Sequence, residues 1–358
     1  MLHLFVKNPA DCCLVLVLGT FCSLFASCRE VGIDSTTQLT QRAFSLNGET
    51  MGTTYAVKIV CGPDEVIGKA DLQHKVTERL WFVEQRMSTY LPDSEVSCFN
   101  RSHSLDWFPV SKETAYVASR ALRLSQQTGG AFDVTIDPLL DVWGFGTSGL
   151  RITRPLDAEV HSVKKRVGYH FFEVRLNPPA LRKQHQHVRV NFSAIAKGYA
   201  VDQVASILDD EGVQSYLVEV GGEVKTKGCR ADGEVWRVGI EHPVTSENKL
   251  QSVLLLSDRS LATSGDYRQF FEDQGRRFSH VIDPRTGFPV VHQMASVSVV
   301  HANCLMADAL ATAFMVMGPE DGVRYAEKHG ISALFIFREG DGFREKMTHK
   351  FAGFVAEH

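Results

Sequence analysis

Residues 302–318, ANCLMADALATAFMVMG, are apolar around almost the full circumference of a helix. Such a helix has no face to offer water, so the fold must enclose it. The chain has the means: 358 residues, 44% hydrophobic and 22% charged, a balance that excludes disorder, collagen and coiled coil. Asp308 and Thr312 are the oxygen-bearing exceptions inside the helix, and their spacing puts them on one face. A carboxylate buried there is costly unless it is paired or bound to a cation. An Asp and a hydroxyl together offer the hard oxygens that Mg²⁺ prefers, with room left for phosphate oxygens. The plainer alternative is an Asp held by a backbone amide or an Arg, with Thr312 bonded to its own helix.

The formal charge of −4 and a pI near 6.4 exclude a protein that coats nucleic acid, because no basic excess exists to neutralise phosphates. Residues 14–25, LVLVLGTFCSLF, form the only long apolar run, too short to span a bilayer comfortably. Ala26, Ser27 and Cys28 follow it, the order of a signal peptide with its cleavage site. With Cys28 as the first residue after cleavage, residues 1–28 resemble a bacterial lipoprotein signal whose cysteine is lipidated. A plain secretory signal is the alternative, and in either case the chain leaves the cytoplasm. Residues 29–43 are polar and read as a flexible tether, leaving 44–358 as the catalytic domain. Cys61, Cys98, Cys229 and Cys304 are far apart and lack metal-ligand spacing, so no zinc site is expected.

Along the domain, short strands alternate with helices. Tyr55, Val57 and Ile59 alternate as in a half-buried strand, and Val76, Leu80, Val83 and Met87 fall at helical spacing. Ser111 caps a helix running to Gly129, and Asp157–Val167 reads as another helix stopped by Gly168. VRVNF (188–192) reads as a strand entering a helix that starts near Ala194 and stops before Gly212. Further strands are expected near 215–220, 235–240, 252–257, 278–282, 295–300 and 331–337, with helices at about 303–317 and 320–329. The mixture indicates an α+β fold: a single catalytic domain, bilobed, with mixed sheets and helices.

Three further segments carry chemistry. In RFSHVIDPRTGFPV (277–290), Asp-Pro-Arg-Thr-Gly makes a turn, and His280 ends the strand that feeds it. A histidine there can take a proton from a hydroxyl nucleophile, or can simply brace the turn. In NFSAIAKGYAVDQVASIL (191–208), Lys197 lies in the first helical turn, where exposed amides favour phosphate; a solvent-facing lysine is the bland reading. Gly221-Gly222 permits close backbone approach to a ligand, or makes a turn. In GGAFDVTIDPLLDVWGFG (129–146), the segments FDVT and IDPL read as extended, in a loop suited to line a flat ligand or to pack on its own aromatics.

Together these segments resemble the ApbE-type FAD:protein FMN transferases. The similarity runs from about Gly48 to Phe335 and includes ETMGTTY, RMSTYLPDSEVSCFN, GAFDVTIDPLLDVWGFG, NFSAIAKGYAVD, GGEVKTKG, ATSGDYRQFF, SHVIDPRTGFPV and ADALATAFMVMG. The resemblance implies an ApbE-like, T-fold-related architecture and an enzyme that cleaves the FAD pyrophosphate, attaches FMN to a threonine hydroxyl of a target protein and releases AMP. It implies Asp308, Thr312 and the Ala194 carbonyl as ligands of Mg²⁺, or of Mn²⁺ in its place. Met51 and Tyr90 match positions that hold the isoalloxazine ring, and Ala131, Phe132 and Asp133 match an FAD-contacting segment. Lys197, Ile282 and Asn191 fall along the same site, and His280 matches the base that activates the acceptor threonine. Asn191 departs from the family, which often carries Asp there.

By the same resemblance the acceptors are flavoproteins such as ion-translocating quinone reductase or Rnf-type subunits. The enzyme would be a lipid-anchored protein of the bacterial cell envelope, facing the periplasm, with no nucleic-acid partner. Two other functions remain open on the sequence. One is an FAD pyrophosphatase producing FMN and AMP from the same site, with water as the acceptor. The other is a non-catalytic FAD-binding lipoprotein, which would have no need of His280, Asp308 and Thr312.

Overall fold

The structure is a computed structural model describing residues 42–62, 67–149, 151–243 and 250–356. The leader, Cys28 and residues 29–41 of the expected tether lie outside the described residues, while its last two, Arg42 and Ala43, pair with Cys61 and Val60 in a strand. Everything described falls within a single compact unit, Leu39–His358.

Its frame is an eight-stranded antiparallel sheet. In spatial order the strands are Arg42–Thr50, Thr53–Cys61, Ser215–Val220, Glu223–Lys227, Ser260–Gly265, Met294–His301, Ser332–Glu339 and Gly342–Met347. Both faces are covered. The Lys69–Met87, Ser193–Asp210 and Cys304–Lys328 helices share one core with Val57, Val218, Val297, Val299 and Phe335. On the opposite face Leu261, Val300, Leu334 and Ile336 pack with the Trp236–Glu241/Leu250–Leu256 hairpin and Phe351. A strand buried on both faces reads as a continuous apolar run, as SALFIFRE does at Ser332–Glu339. A third, smaller core around Trp143 joins Leu139, Val160, Val167, Phe278 and Ile282, and is the nearest thing to a second lobe.

The apolar helix is buried as its composition demands, with every residue from Ala307 to Ala311 inaccessible or nearly so. It breaks at Gly318, whose φ of 82° precedes Pro319, so the expected pair of helices is one element divided by a kink. Ser111 caps the Lys112–Gln127 helix by accepting from the Thr114 amide.

Three expectations fail. Residues 188–192 are not a strand. Val190 trades its backbone bonds with the Asn100 side chain, and the Asn191 amide donates to the Val134 carbonyl at 2.7 Å, so no ladder forms. Only Asp133 of FDVT and IDPL is extended; from Val134 the chain is helical, forming the 3-10 turn Val134–Ile136 and the helix Asp137–Trp143. Asp133 caps the first by accepting from the Thr135 amide, and Pro138 suits the first turn of the second. The Asp157 helix ends at Lys164, three residues short of Val167.

Candidate active site

A cavity of about 380 Å³ opens where the starts of the Ser193–Asp210 and Cys304–Lys328 helices meet the ends of the central strands. Met51, Ala131, Phe132, Asp133, Asn191, Ala194, Lys197, His280, Ile282, Asp308 and Thr312 all line it. Five segments distant in sequence thus converge, as the motifs led one to expect.

The two helices approach closely at Gly198. A Cβ there would lie 2.3 Å from the Cys304 carbonyl oxygen and 2.8 Å from Asp308 Cβ, so only glycine fits. The bare backbone lets the Gly198 amide donate to Asp308 Oδ2 at 2.9 Å. In a regular helix that amide serves the Ala194 carbonyl; Asp308 is a second acceptor for it. One turn further on, Thr312 Oγ1 lies 3.0 Å from Ser264 Oγ. A carboxylate, two hydroxyls and a carbonyl form a hard donor set of the kind Mg²⁺ takes.

The charges around it are two carboxylates, Asp308 and Glu223, with Lys197 and Arg268 in the same cavity wall. Lys197 Nζ reaches Glu223 Oε1 at 2.6 Å, and the Glu223 side chain is 1% exposed. The other oxygen, Glu223 Oε2, is buried with no hydrogen-bond partner. Burial, reinforced by Glu223, pushes the Asp308 carboxyl up to about 7 against the pull of Lys197 and the Gly198 amide. For Lys197, burial favours the neutral amine, yet Glu223 and Asp308 outweigh it and hold the ammonium above its ordinary value. The residues therefore fit a divalent cation at Asp308 and Thr312.

His280 stands at the foot of a two-stranded ribbon, Phe270–Asp273 and Arg276–Ser279. Its backbone amide and its Nδ1 both bond the Gln269 carbonyl, at 3.1 and 3.0 Å. A carbonyl only accepts, so Nδ1 carries the proton and Nε2 keeps its lone pair. Burial lowers the imidazole pKa, which keeps that lone pair available at neutral pH. The turn beyond it closes through Gly287 N to Asp283 O at 2.7 Å, and Trp143 Nε1 donates to the Gly287 carbonyl at 2.8 Å. The aromatic segment and the His280 turn are thereby locked together.

On the far wall, Asp133 accepts from Thr135 N, Thr135 Oγ1 and Tyr169 N, all within 2.8 Å. Burial nonetheless raises its pKa. Met51 has φ 50° and Gly52 φ 70° in the Thr50–Thr53 hairpin turn. A methionine in the left-handed region is strained, and this one lines the cavity. Asn191 Nδ2 donates to Asp137 Oδ1 at 3.1 Å, while its Oδ1 accepts from Ser193 N at 2.9 Å. Asn191 thus links the cavity wall to Asp137 in the neighbouring cleft, where Arg189 Nη2 pairs with Asp137 Oδ2 at 2.7 Å.

Tyr90 is the exception. It is 69% exposed and lines a separate, polar cleft with Asn100, Arg101, Asp137 and Arg189. The turn after the Lys69–Met87 helix carries it away, pinned by Ser94 and Ser97 hydroxyls that donate to the Ser88 carbonyl. Sequence reasoning missed Glu223, Ser264, Arg268 and Gln269, all of which line the cavity. The one local signal was a carboxylate directly after Gly221-Gly222.

Comparison with known proteins agrees with this geometry. The family model for ApbE matches residues 51–335. The FAD:protein FMN transferase of Vibrio cholerae serotype O1 is 41% identical over 312 residues, covering 87% of this chain and 92% of that protein. Its Salmonella typhimurium counterpart is 36% identical over 344 residues, covering 94% and 98%. Among solved structures, the flavin transferase ApbE from Vibrio cholerae superposes with a TM-score of 0.81 at 40% identity, over 88% of this chain and 99% of that one. The apo Pseudomonas stutzeri flavinyl transferase ApbE gives 0.81 at 37%, over 89% and 98%. Matched along nearly its whole folded length, cavity segments included, the chain belongs to the ApbE family.

Proposed function

We propose that this chain transfers FMN from FAD to a threonine hydroxyl of an acceptor protein and releases AMP. The observation that carries the reading is the presence in one cavity of the Asp308 carboxylate and Thr312 hydroxyl, a lysine and a histidine with a free Nε2. Relatives named FAD:protein FMN transferase support it.

Met51, Phe132 and Ile282 offer apolar surface for the flavin, and Lys197 would hold phosphate oxygens. His280 Nε2 takes the proton as the threonine Oγ attacks the FMN phosphorus. The P–O bond to the AMP phosphate breaks in line, and the electron pair leaves with AMP. Asp308, Thr312 and the Ala194 carbonyl would hold Mg²⁺ or Mn²⁺, which when bound supplies charge neutralisation at the pyrophosphate. Glu223 keeps Lys197 in place, and burial of the cavity walls limits water as a competing acceptor. Tyr90 would serve only a ligand long enough to reach its own cleft.

The acceptor class is exported flavoproteins such as quinone reductase or Rnf-type subunits, and the anchor is a lipid on Cys28 facing the periplasm. Cys28→Ser should move the protein from the membrane to the soluble fraction. The main test incubates the soluble domain with FAD, Mg²⁺ and a threonine-bearing acceptor domain, with mass spectrometry of the acceptor and chromatography of AMP. FMN on threonine supports transfer. Free FMN and AMP without labelling would point to hydrolysis, and bound but unchanged FAD to a carrier.

A further inference from the structure

Lys197 and Gly198 are neighbours on one helix, yet they serve different carboxylates. The lysine goes to Glu223 Oε1 at 2.6 Å, and the glycine amide to Asp308 Oδ2 at 2.9 Å. Lys197 also feels the field of Asp308, so the two acids compete for one ammonium. The pairing is built into the backbone. Gly221 has φ 58°, and a Cβ there would lie 3.2 Å from Lys197 Cδ and 2.9 Å from Thr53 Cγ2. The bare Gly221 leaves a channel along which the lysine stem runs to Glu223, at the start of the neighbouring strand. Glu223 is itself sealed, 1% exposed, with Oε2 lacking any partner. Burying a carboxylate with one oxygen unsatisfied costs stability, so a packing role alone does not account for it.

We propose that Glu223 is a positioning residue for cation binding: by holding and neutralising Lys197 it keeps that ammonium off Asp308, leaving the Asp308 carboxylate for the divalent cation. The inference rests on the reading of Asp308 and Thr312 as the cation site. Without the Glu223 charge, Lys197 is left to Asp308 and to the half-buried Glu219, and a Lys197–Asp308 pair would exclude the cation. The same hold keeps Lys197 beside the phosphate path, where transfer needs it.

Mn²⁺ binding to the flavin-free soluble domain, followed by electron paramagnetic resonance, tests this without reference to activity. Wild type is compared with Asp308→Asn, Glu223→Gln, Lys197→Met and the double variant Lys197→Met/Glu223→Gln. Glu223→Gln should weaken Mn²⁺ binding by about tenfold or more, as expected when a close charge pair is broken. The double variant, with the competing ammonium gone, should return to within about threefold of wild type, a coupling that independent sites do not show. Its FMN transfer should stay low, because the phosphate-holding lysine is absent.

Wild-type Mn²⁺ affinity in Glu223→Gln overturns the proposal. A double variant as weak as Glu223→Gln overturns it as well, and shows that Glu223 acts by packing or on the cation directly. Urea denaturation, expected to give a cooperative transition for Glu223→Gln as for wild type, separates that outcome from a variant that has lost its fold. If Asp308→Asn binds Mn²⁺ like wild type, the reading of the cation site fails, and this inference falls with it.

Discussion

The Gly198 amide donates to Asp308 Oδ2 at 2.9 Å across 110 residues of sequence. A missing side chain on one helix thus orients the buried acid on another. Replacing it should show the cost directly. In Gly198→Ala the new methyl meets the Cys304 backbone at 2.3 Å, and backbone cannot swing aside as a flexible side chain does. We expect a loss of about 2–3 kcal/mol in urea denaturation, at the upper end for overpacking, together with weaker cation-dependent turnover.

His280→Ala should retain FAD affinity and lose transfer by about 100-fold or more, the usual reach of a general base. Equilibrium fluorescence of FAD and single-turnover transfer separate the two effects. Unchanged transfer would remove the base role.

The pH profile follows from the same residue. Neutral Nε2 is the working form, and burial sets its pKa below the ordinary histidine value. Transfer in wild type, measured at saturating Mg²⁺ so that the Asp308 carboxyl adds no limb of its own near 7, should therefore be flat at neutral pH. It should fall about tenfold per unit only once the pH passes below that lowered pKa. The residual activity of His280→Ala should lack that limb.

Asn191 and Asp137 make a charge arrangement that can be inverted. In Asn191→Asp a second carboxylate would face Asp137 Oδ1 across the present 3.1 Å contact. Burial already raises the Asp137 pKa, against the pull of Arg189. The single variant should lose about 1–3 kcal/mol at pH 8 through a buried like-charge contact, and recover at acidic pH when the pair shares a proton. Asn191→Asp/Asp137→Asn restores one carboxylate and one amide, and should recover most of the loss at pH 8. Urea denaturation at both pH values checks this.

Lys183 offers a test remote from the cavity. It is 2% exposed and donates to the Asn100 and Ser102 carbonyls at 3.2 and 2.7 Å. Burial lowers its pKa to about 8, from the ordinary lysine value of 10.5. Below about 8 both folded and unfolded chains hold the proton and the burial cost is fully present. Between those two values the unfolded chain binds more protons, so stability should rise with pH. The difference in unfolding free energy between wild type and Lys183→Met, measured from about pH 7 to the ordinary lysine pKa, should shift in favour of wild type.

Much of this molecule is legible in its sequence where local pattern meets burial. Val76, Leu80, Val83 and Met87 keep helical spacing because they face one core, and all four are buried on one helix. Strands such as Glu223–Lys227 and Ser260–Gly265 escaped notice because EVKTK and SLATSG carry few apolar residues. Their neighbours in the sheet bury them. VRVNF misled for the opposite reason: it has strand composition, and its Val188, Val190 and Phe192 are buried, but its hydrogen bonds go to a side chain and an isolated carbonyl.

What the sequence alone determined was which groups had to be hidden or turned. The 302–318 helix had to be enclosed with Asp308 and Thr312 on one face, and Asp-Pro-Arg-Thr-Gly had to turn the chain beside His280. Periodicity and turn chemistry act over a few residues, so they can be read directly. Which group meets which was decided by the tertiary structure. It paired Lys197 with Glu223, gave the His280 Nδ1 proton to the Gln269 carbonyl, set Asp137 against Asn191 and carried Tyr90 into another cleft. A local pattern reports that a side chain is buried; the partner it is buried against depends on how distant segments pack.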